Sequence, residues 1–341
     1  MEPFWRGDVM HDESCLFVQR GDGPPSSRLL LPSREILAVT DASGETRYAE
    51  GEDWVLEADG RTLTLPEGSV IPHLAETALY PPVSLRGAIP YRLGGDRWLL
   101  FSEDVFFAEQ QVRVTYQHGG WEGPVPSNPG LQRTLDRLED GALTMVLFGD
   151  SISAGANATE MFGVPPNQPP YGSLVAERLR QAYGAEVAYT NLSVGGMDSA
   201  WGLRQIDAVA KLDPDLVILG WGMNDAAGGR SAEDFVANVR GQMDAVLDAR
   251  PDCDVVLVAT MWGNPEWVAA RPDLYLAYRD ALEELVAPGV ALADMTTLWG
   301  WMLGRKRFVD LTGNGVNHPN DFGHGMYADT VMAAIVGTHE V

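Results

Sequence analysis

The stretch TMVLFGDSIS, residues 144–153, reads as a short apolar strand that runs straight into Gly-Asp-Ser. A strand apolar on both sides is what a sheet covered by helices on each face requires. Four similar runs follow: EVAYTNLS (186–193), DLVILGWG (215–222), DVVLVAT (254–260) and VALADM (290–295). Amphipathic stretches lie between them. Phe235, Val239, Met243 and Val246 recur at helical spacing, as do Tyr275, Tyr278, Leu282 and Leu285. Strand–helix alternation of this kind predicts a parallel sheet with helices on both sides.

Upstream the pattern is different. SCLFVQ, SRLLLP and EILAVT are short apolar runs separated by Gly, Pro, Asp and Ser clusters, and none has a sustained helical period. WVLEADGRTLTLP (54–66) places Asp59-Gly60 between two alternating runs, a hairpin signal. DRWLLFS and QVRVTYQH read as later strands. Residues 1–122 are therefore expected to form an all-β, jelly-roll-like sandwich. The Gly- and Pro-rich GGWEGPVPSNPG (119–130) marks a junction. A linker with one short helix is expected over 123–142, and the α/β unit over 143–341.

Bulk composition narrows the function. Forty-eight acids against 24 bases leave a net charge of −24, which repels phosphate backbones and anionic membranes. Nucleic acid and membrane are therefore excluded as expected partners. Cys15 and Cys253 fit no metal or disulfide spacing and read as buried thiols. Lys211 and Lys306 are the only lysines, which we read as compositional bias. The start shows no signal peptide and no run is long enough to span a membrane, so a cytoplasmic location is expected, or a secreted one if a leader was removed.

In a parallel sheet of this kind, ligands bind beyond the carboxyl ends of the strands. GDSISAGAN follows the first strand, NLSVGGMDS the second and GWGMNDAAGG the third; DLTGNGVNHPNDFGHG (310–325) follows the last. Ser151, Gly196, Asn224 and His318 thus fall on one edge. These residue types meet the needs of acyl transfer. A serine hydroxyl is a weak nucleophile until a base takes its proton, and neutral imidazole suits that task near pH 7. A glycine amide and an asparagine NH2 can then donate to an oxyanion.

The ordered blocks GDSIS, Gly196 in NLSVGG, GMND (222–225) and NHPND around His318 closely resemble the SGNH, or GDSL, hydrolases. The resemblance covers about residues 143–335. It implies a flavodoxin-like three-layer α/β/α fold and cleavage of esters or thioesters without metal or cofactor. By resemblance Ser151 is the nucleophile and His318 the general base. The oxyanion donors are the backbone N–H groups of Ser151 and Gly196 and the Asn224 side chain.

One position departs from the family pattern, which sets an aspartate three residues before the histidine. Here that residue is Gly315. Asp310 can fold back towards His318, Asp321 can serve from the other side, or a backbone carbonyl can hold the ring in a Ser–His dyad. We favour the dyad, with Asp321 as N-cap of the last helix and Asp310 as a turn residue. Trp262, Trp299 and Trp301 follow the fourth and fifth strands and can wall a substrate pocket, although core packing is favoured. Arg230 stands near the same rim as a pocket candidate or a solvated charge. His118 can approach the cleft, but a satisfied edge residue is favoured, and His324 reads as a surface or packing histidine.

The resulting expectation is a serine esterase acting through an acyl-enzyme. Its substrate is a short-chain ester, most naturally acetyl, on a small molecule or glycan. The carbohydrate part rests on resemblance to bacterial carbohydrate acetylesterases that carry a β-sandwich. The alternatives are a thioesterase or lysophospholipase of the same family, and a glycan-binding protein with an impaired hydrolase domain. The β-rich unit can also mediate an oligomer.

Overall fold

A computed structural model describes residues 3–82 and 87–338. Among the described residues the N-terminal region holds nine strands. They are β1 (Val9–Gln19), β2 (Ser26–Arg28), β3 (Ser33–Asp41), β4 (Val55–Leu56), β5 (Thr62–Thr64), β6 (His73–Ala75), β7 (Ala88–Pro90), β8 (Trp98–Leu100) and β9 (Gln111–His118). A five-residue helix α1 (Phe106–Gln110) precedes β9. The sheet order is β3-β9-β1-β2-β5-β4, with β6 parallel to β1, and β7 and β8 form a separate hairpin.

β1 is buried on both faces from Glu13 to Val18. Alternation sends Cys15 and Phe17 into the main core, while Leu16 and Val18 pack with Leu79 and Phe107 in a smaller cluster. The hairpin read at Asp59-Gly60 joins β4 to β5, with Gly60 at φ +67° and the Asp59 carboxylate accepting from the amides of Arg61 and Thr62. The run SRLLLP is a strand only as far as Arg28. Leu29–Leu31 are fully buried, but the Leu30 amide donates to Glu13 and the Leu31 amide to the Tyr116 hydroxyl. Side chains therefore satisfy backbone donors that a ladder would otherwise take.

Helix α2 (Gln132–Glu139) leads into β10 (Ala142–Gly149), α3 (Ser151–Ala154), α4 (Tyr171–Tyr183) and β11 (Glu186–Asn191). Then come α5 (Ser199–Gln205), α6 (Asp207–Ala210), β12 (Leu216–Trp221), α7 (Met223–Ala227) and α8 (Ala232–Ala249). The chain ends with β13 (Asp254–Ala259), α9 (Pro272–Glu283), β14 (Val290–Asp294), α10 (Met295–Leu303) and α11 (Asp321–Val336). The five strands pair in parallel in the order β11-β10-β12-β13-β14, with β12 and β13 wholly buried. α2, α4 and α11 pack together on one face; α5, α6, α8 and α9 pack on the other. The fold class read from the sequence is thus present: a three-layer α/β/α unit preceded by an antiparallel β-rich region.

α11 is apolar almost all round, as a helix with no solvent face must be. Its outer side is met by the β-rich region: the Phe4 amide donates to Asp329, and Asn320 Nδ2 donates to Ser14 and Gln111. β11 lies to one side of β10 and β12, β13 and β14 to the other, so the strand order reverses at β10 and the crevice of this topology opens at its carboxyl end. Ser151 stands there. Among the described residues no helix is long and apolar enough to cross a membrane. Among them, too, no group of three or more His, Cys, Asp or Glu side chains is placed to hold a metal ion. Cys15 and Cys253 are free and buried.

Candidate active site

β10 ends on Gly149, where a Cβ would stand 2.2 Å from the Gly220 carbonyl oxygen and 2.4 Å from Ser153 Oγ. Only glycine lets the ends of β10 and β12 close up in this way. Asp150 caps α3 by accepting the Ile152 amide at 3.0 Å. Burial, reinforced by the charge of Asp225, pushes the Asp150 carboxyl up to about 7. Ser151 follows as the first residue of α3, half-buried.

Two loops flank it. A Cβ added to Gly195 would lie 3.7 Å from Ser151 Cβ, so the loop after β11 abuts the nucleophile candidate. Gly196 there has φ +78°. Asn224, the second residue of α7, donates from Nδ2 to the Met197 carbonyl at 2.8 Å. That bond ties the two loops together and leaves a second amide hydrogen on Nδ2. Beneath them the buried Asp225 accepts from Ser199 Oγ at 2.6 Å and pairs with Arg230 at 2.6 Å. Burial raises its pKa, and Ser199 and Arg230 oppose the rise.

His318 arrives on the loop after α10. The Asn314 carbonyl Oδ1 collects the amides of Val316, Asn317 and His318 at 2.9, 3.0 and 3.2 Å. Thr312 Oγ1 donates to the His318 carbonyl, and Asn264 Nδ2 donates to the Gly315 carbonyl at 2.9 Å. The density of asparagine in this segment is therefore a scaffold for its turn.

His318 Nε2 lies 2.9 Å from Ser151 Oγ. Its Nδ1 lies 2.8 Å from Asn157 Oδ1 and 3.3 Å from Glu103 Oε2. Asn157 sits at φ +64°, a conformation asparagine tolerates, and its Nδ2 donates to the Gly313 carbonyl at 3.1 Å. With its NH2 so engaged, the amide oxygen faces the ring and accepts Nδ1–H. The free lone pair of Nε2 then faces the hydroxyl, a tautomer assigned from this network. Such an arrangement can withdraw a proton from Ser151 as its oxygen attacks a carbonyl carbon.

The fold therefore brings Ser151 and His318 together, sets Gly195, next to Gly196, against Ser151, and ties Asn224 to Met197 of that same loop. It does not bring Asp310 or Asp321 to the ring. Asp310 is buried in a 3₁₀ turn and accepts from the Leu16 amide, Ser27 Oγ and the Arg307 amide, so it is neither a partner of His318 nor a simple turn residue. Asp321 accepts from the Thr159 amide and hydroxyl; the N-cap of α11 is Asn320, which accepts the Gly323 amide. The dyad held by a backbone carbonyl is corrected as well, because side-chain oxygens of Asn157 and Glu103 occupy the Nδ1 side. Trp299 is fully buried against Gly323, and Trp262 packs on Gly300 while donating to the Thr296 carbonyl; both serve packing. Arg230 is held between Asp198 and Asp225, away from any pocket role. His118 is buried at the end of β9 and accepts the Gly120 amide, whereas His324 is buried and pushed down to about 4 by that burial. A cavity of about 160 Å³ between the two regions reaches Asn157 but is lined by neither Ser151 nor His318.

The GDSL-like Lipase/Acylhydrolase family matches residues 147–326, more than half of the chain. The chain belongs to that family. The GDSL-like enzyme is thus a carboxylic ester hydrolase by membership, and the matched segment spans Ser151, Gly196, Asn224 and His318. Similar solved structures include the lipase Lip_vut3 from goat rumen metagenome, at 15% identity and TM-score 0.47, over 57% of this chain and 98% of that one. TesA is 22% identical with TM-score 0.43, over 56% and 97%. A carbohydrate esterase family 3 structure from Talaromyces cellulolyticus is 18% identical with TM-score 0.45, over 56% and 94%. A comparison with curated proteins returns no match.

Proposed function

We propose that this GDSL-like hydrolase is a serine esterase for short-chain esters, above all acetyl groups carried on carbohydrate. The observation behind the mechanism is the 2.9 Å contact between His318 Nε2 and Ser151 Oγ, with Nδ1 anchored on its far side. Ser151 Oγ bonds to the acyl carbon while its proton passes to Nε2. The carbon–alcohol bond then breaks, and Nε2 delivers the proton to the departing oxygen. Water attacks the acyl-enzyme in the same way, giving its proton to Nε2, which returns it to Oγ as the carboxylic acid leaves. The oxyanion is held by the amides of Ser151 and Gly196 and by Asn224 Nδ2. Residues 1–122 act as an accessory β unit joined through 123–142 to the hydrolase unit of 143–341.

The substrate class rests on the groups around the pair. Gly195 beside Ser151, and Asn157 and Glu103 beside His318, are small or polar, and they suit a short acyl group on a hydroxyl-rich alcohol better than a long chain, which gains about 0.8 kcal/mol for each methylene it buries only against apolar walls. Acetyl, butyryl and octanoyl p-nitrophenyl esters, with sugar acetates beside them, test this. The highest kcat/KM is expected for acetyl, and a preference for octanoyl would overturn the assignment. Asn224→Ala is expected to lower kcat about 100-fold or more with little change in KM, because its NH2 matters when charge develops on oxygen. Single-turnover acylation measured on the folded variant checks this, and an unchanged rate would remove Asn224 from the oxyanion site.

A further inference from the structure

We infer that Glu103, on the segment after β8 in the N-terminal β-rich region, is the charged positioning residue of His318, and that the β-rich region thereby completes the hydrolytic site. The inference rests on the Ser151–His318 reading above and adds to it a group from outside the matched 147–326 segment.

Three observations carry it. First, the segment is fastened to the histidine loop. The Ser102 amide donates to the Asn314 carbonyl at 3.2 Å, and Asn314 Nδ2 donates to Glu103 Oε1 at 3.2 Å. With one oxygen so held, the other, Oε2, lies 3.3 Å from His318 Nδ1. Second, the loop cannot carry its own acid at the position three residues before His318. Gly315 has φ +86°, and a Cβ there would stand 2.5 Å from the Leu100 carbonyl oxygen and 2.7 Å from Phe107 Cζ. Both atoms belong to the β-rich region. The same contact that excludes a side chain at 315 brings Glu103 to the ring. Third, the nearer Nδ1 partner, Asn157, is neutral. It can orient the ring and fix the tautomer, but it cannot offset the positive charge that forms when Nε2 takes the serine proton. Glu103 supplies that charge and keeps its own ionised form. Burial would raise its carboxyl, but its bonds to His318 and Asn314 and the charge of the ring prevail and hold it below its ordinary value.

The roles are therefore divided. Asn157 sets direction and Glu103 stabilises the imidazolium, and no proton passes to either. Because the Glu103 side chain is 52% exposed, solvent screens its charge and the effect is smaller than for a buried triad carboxylate.

Glu103→Gln keeps the shape and removes the charge. It is expected to lower kcat for p-nitrophenyl acetate about 10- to 100-fold, with KM within about twofold and an unchanged melting temperature. Fluorophosphonate labelling of Ser151 should slow in parallel. Glu103→Asp should retain more activity than Glu103→Gln. Formate should partly restore Glu103→Ala while leaving the wild type unaffected. A Glu103→Gln enzyme with wild-type kcat, or a Glu103→Ala enzyme indifferent to formate, would reduce Glu103 to a rim charge. Ser151→Ala separates the two failures. Turnover surviving in that variant would overturn the underlying reading, whereas a dead Ser151→Ala beside a fully active Glu103→Gln would overturn this inference alone.

Discussion

Ser151→Ala is expected to cut kcat/KM for p-nitrophenyl acetate about 10⁴- to 10⁶-fold, and His318→Ala by a similar factor. The size follows from the shared task of the two groups. In the proposed mechanism Oγ forms the only covalent bond to the acyl carbon, and without a base its hydroxyl is a poor nucleophile at neutral pH. Without Oγ the imidazole has nothing to activate except water held in no particular place. Each group acts only through the other, so the double variant should be hardly slower than either single one. What survives is the contribution of the oxyanion donors and of substrate binding. Folding should be little affected by Ser151→Ala, since the hydroxyl is half-buried and its one described side-chain contact is to His318. His318→Ala will perturb more, because it leaves Asn157 Oδ1 without its partner in a buried place. Steady-state kinetics with melting curves for both variants decide the matter. A Ser151→Ala enzyme keeping more than a few per cent of wild-type turnover would mean that another group attacks the ester.

Part of this candidate site was legible because a strand announces it, whereas His318, which lies beyond α10, was read from the polar density of its loop and from the family resemblance. Ser151 and Asn224 follow apolar runs directly, and the crevice of a doubly wound sheet lies where such runs end. The pair that flanks Nδ1 has no such announcement. Asn157 was in plain view in GDSISAGAN, but its role depends on a left-handed backbone conformation and on a contact 161 residues away. A non-glycine residue able to adopt positive φ just past a strand end was the available signal. Glu103 carried none, because it comes from another region and its tie to Asn314 spans 211 residues. Proximity in sequence offered only Asp310 and Asp321 as acids, beside the backbone-held dyad that was favoured. The loop sends Asp310 towards β1 and β2, and the start of α11 sends Asp321 to Thr159. Trp299 shows the same limit, since lying after a strand at the catalytic edge does not say which way a ring points. The fold class was easier because hydrophobic periodicity is a local property, whereas a polar constellation depends on how loops from distant elements meet.

Lys306→Met is expected to destabilise the protein by about 3–5 kcal/mol, and Glu13→Gln by a comparable amount. Both side chains are fully buried. Lys306 Nζ pairs with Glu13 Oε1, donates to the Arg28 carbonyl at 2.9 Å and lies 3.4 Å from Cys15 Sγ. Glu13 also accepts the Tyr116 hydroxyl at 2.6 Å and the Leu30 amide at 2.8 Å. The carboxylate thus joins three segments of the β-rich region to the segment after α10. Taking away the ammonium would leave the fully buried Glu13 carboxyl without its cationic partner, and the loss is mostly that penalty rather than the worth of the pair. Burial would push Lys306 down, but Cys15, Glu13 and Asp310 around it prevail and hold it above its ordinary value. Cys15 itself is raised to about 11 by burial and is uncharged near neutral pH, so the acids supply the stabilising charge there. A raised lysine contributes fully below its unfolded value of about 10.4 and loses that contribution only as pH rises through the folded one, so the contribution of Lys306 should not change with pH across the neutral range. Replacing both partners, as Lys306→Met with Glu13→Gln, should lose less than the sum of the single changes. Chemical denaturation of the three variants measures the coupling. Additive losses would show that the two charges are not energetically joined. If the pair does fasten the two regions, the single variants should also lose esterase activity at temperatures below their melting points, because the surface that carries Glu103 to His318 loosens before the α/β core unfolds.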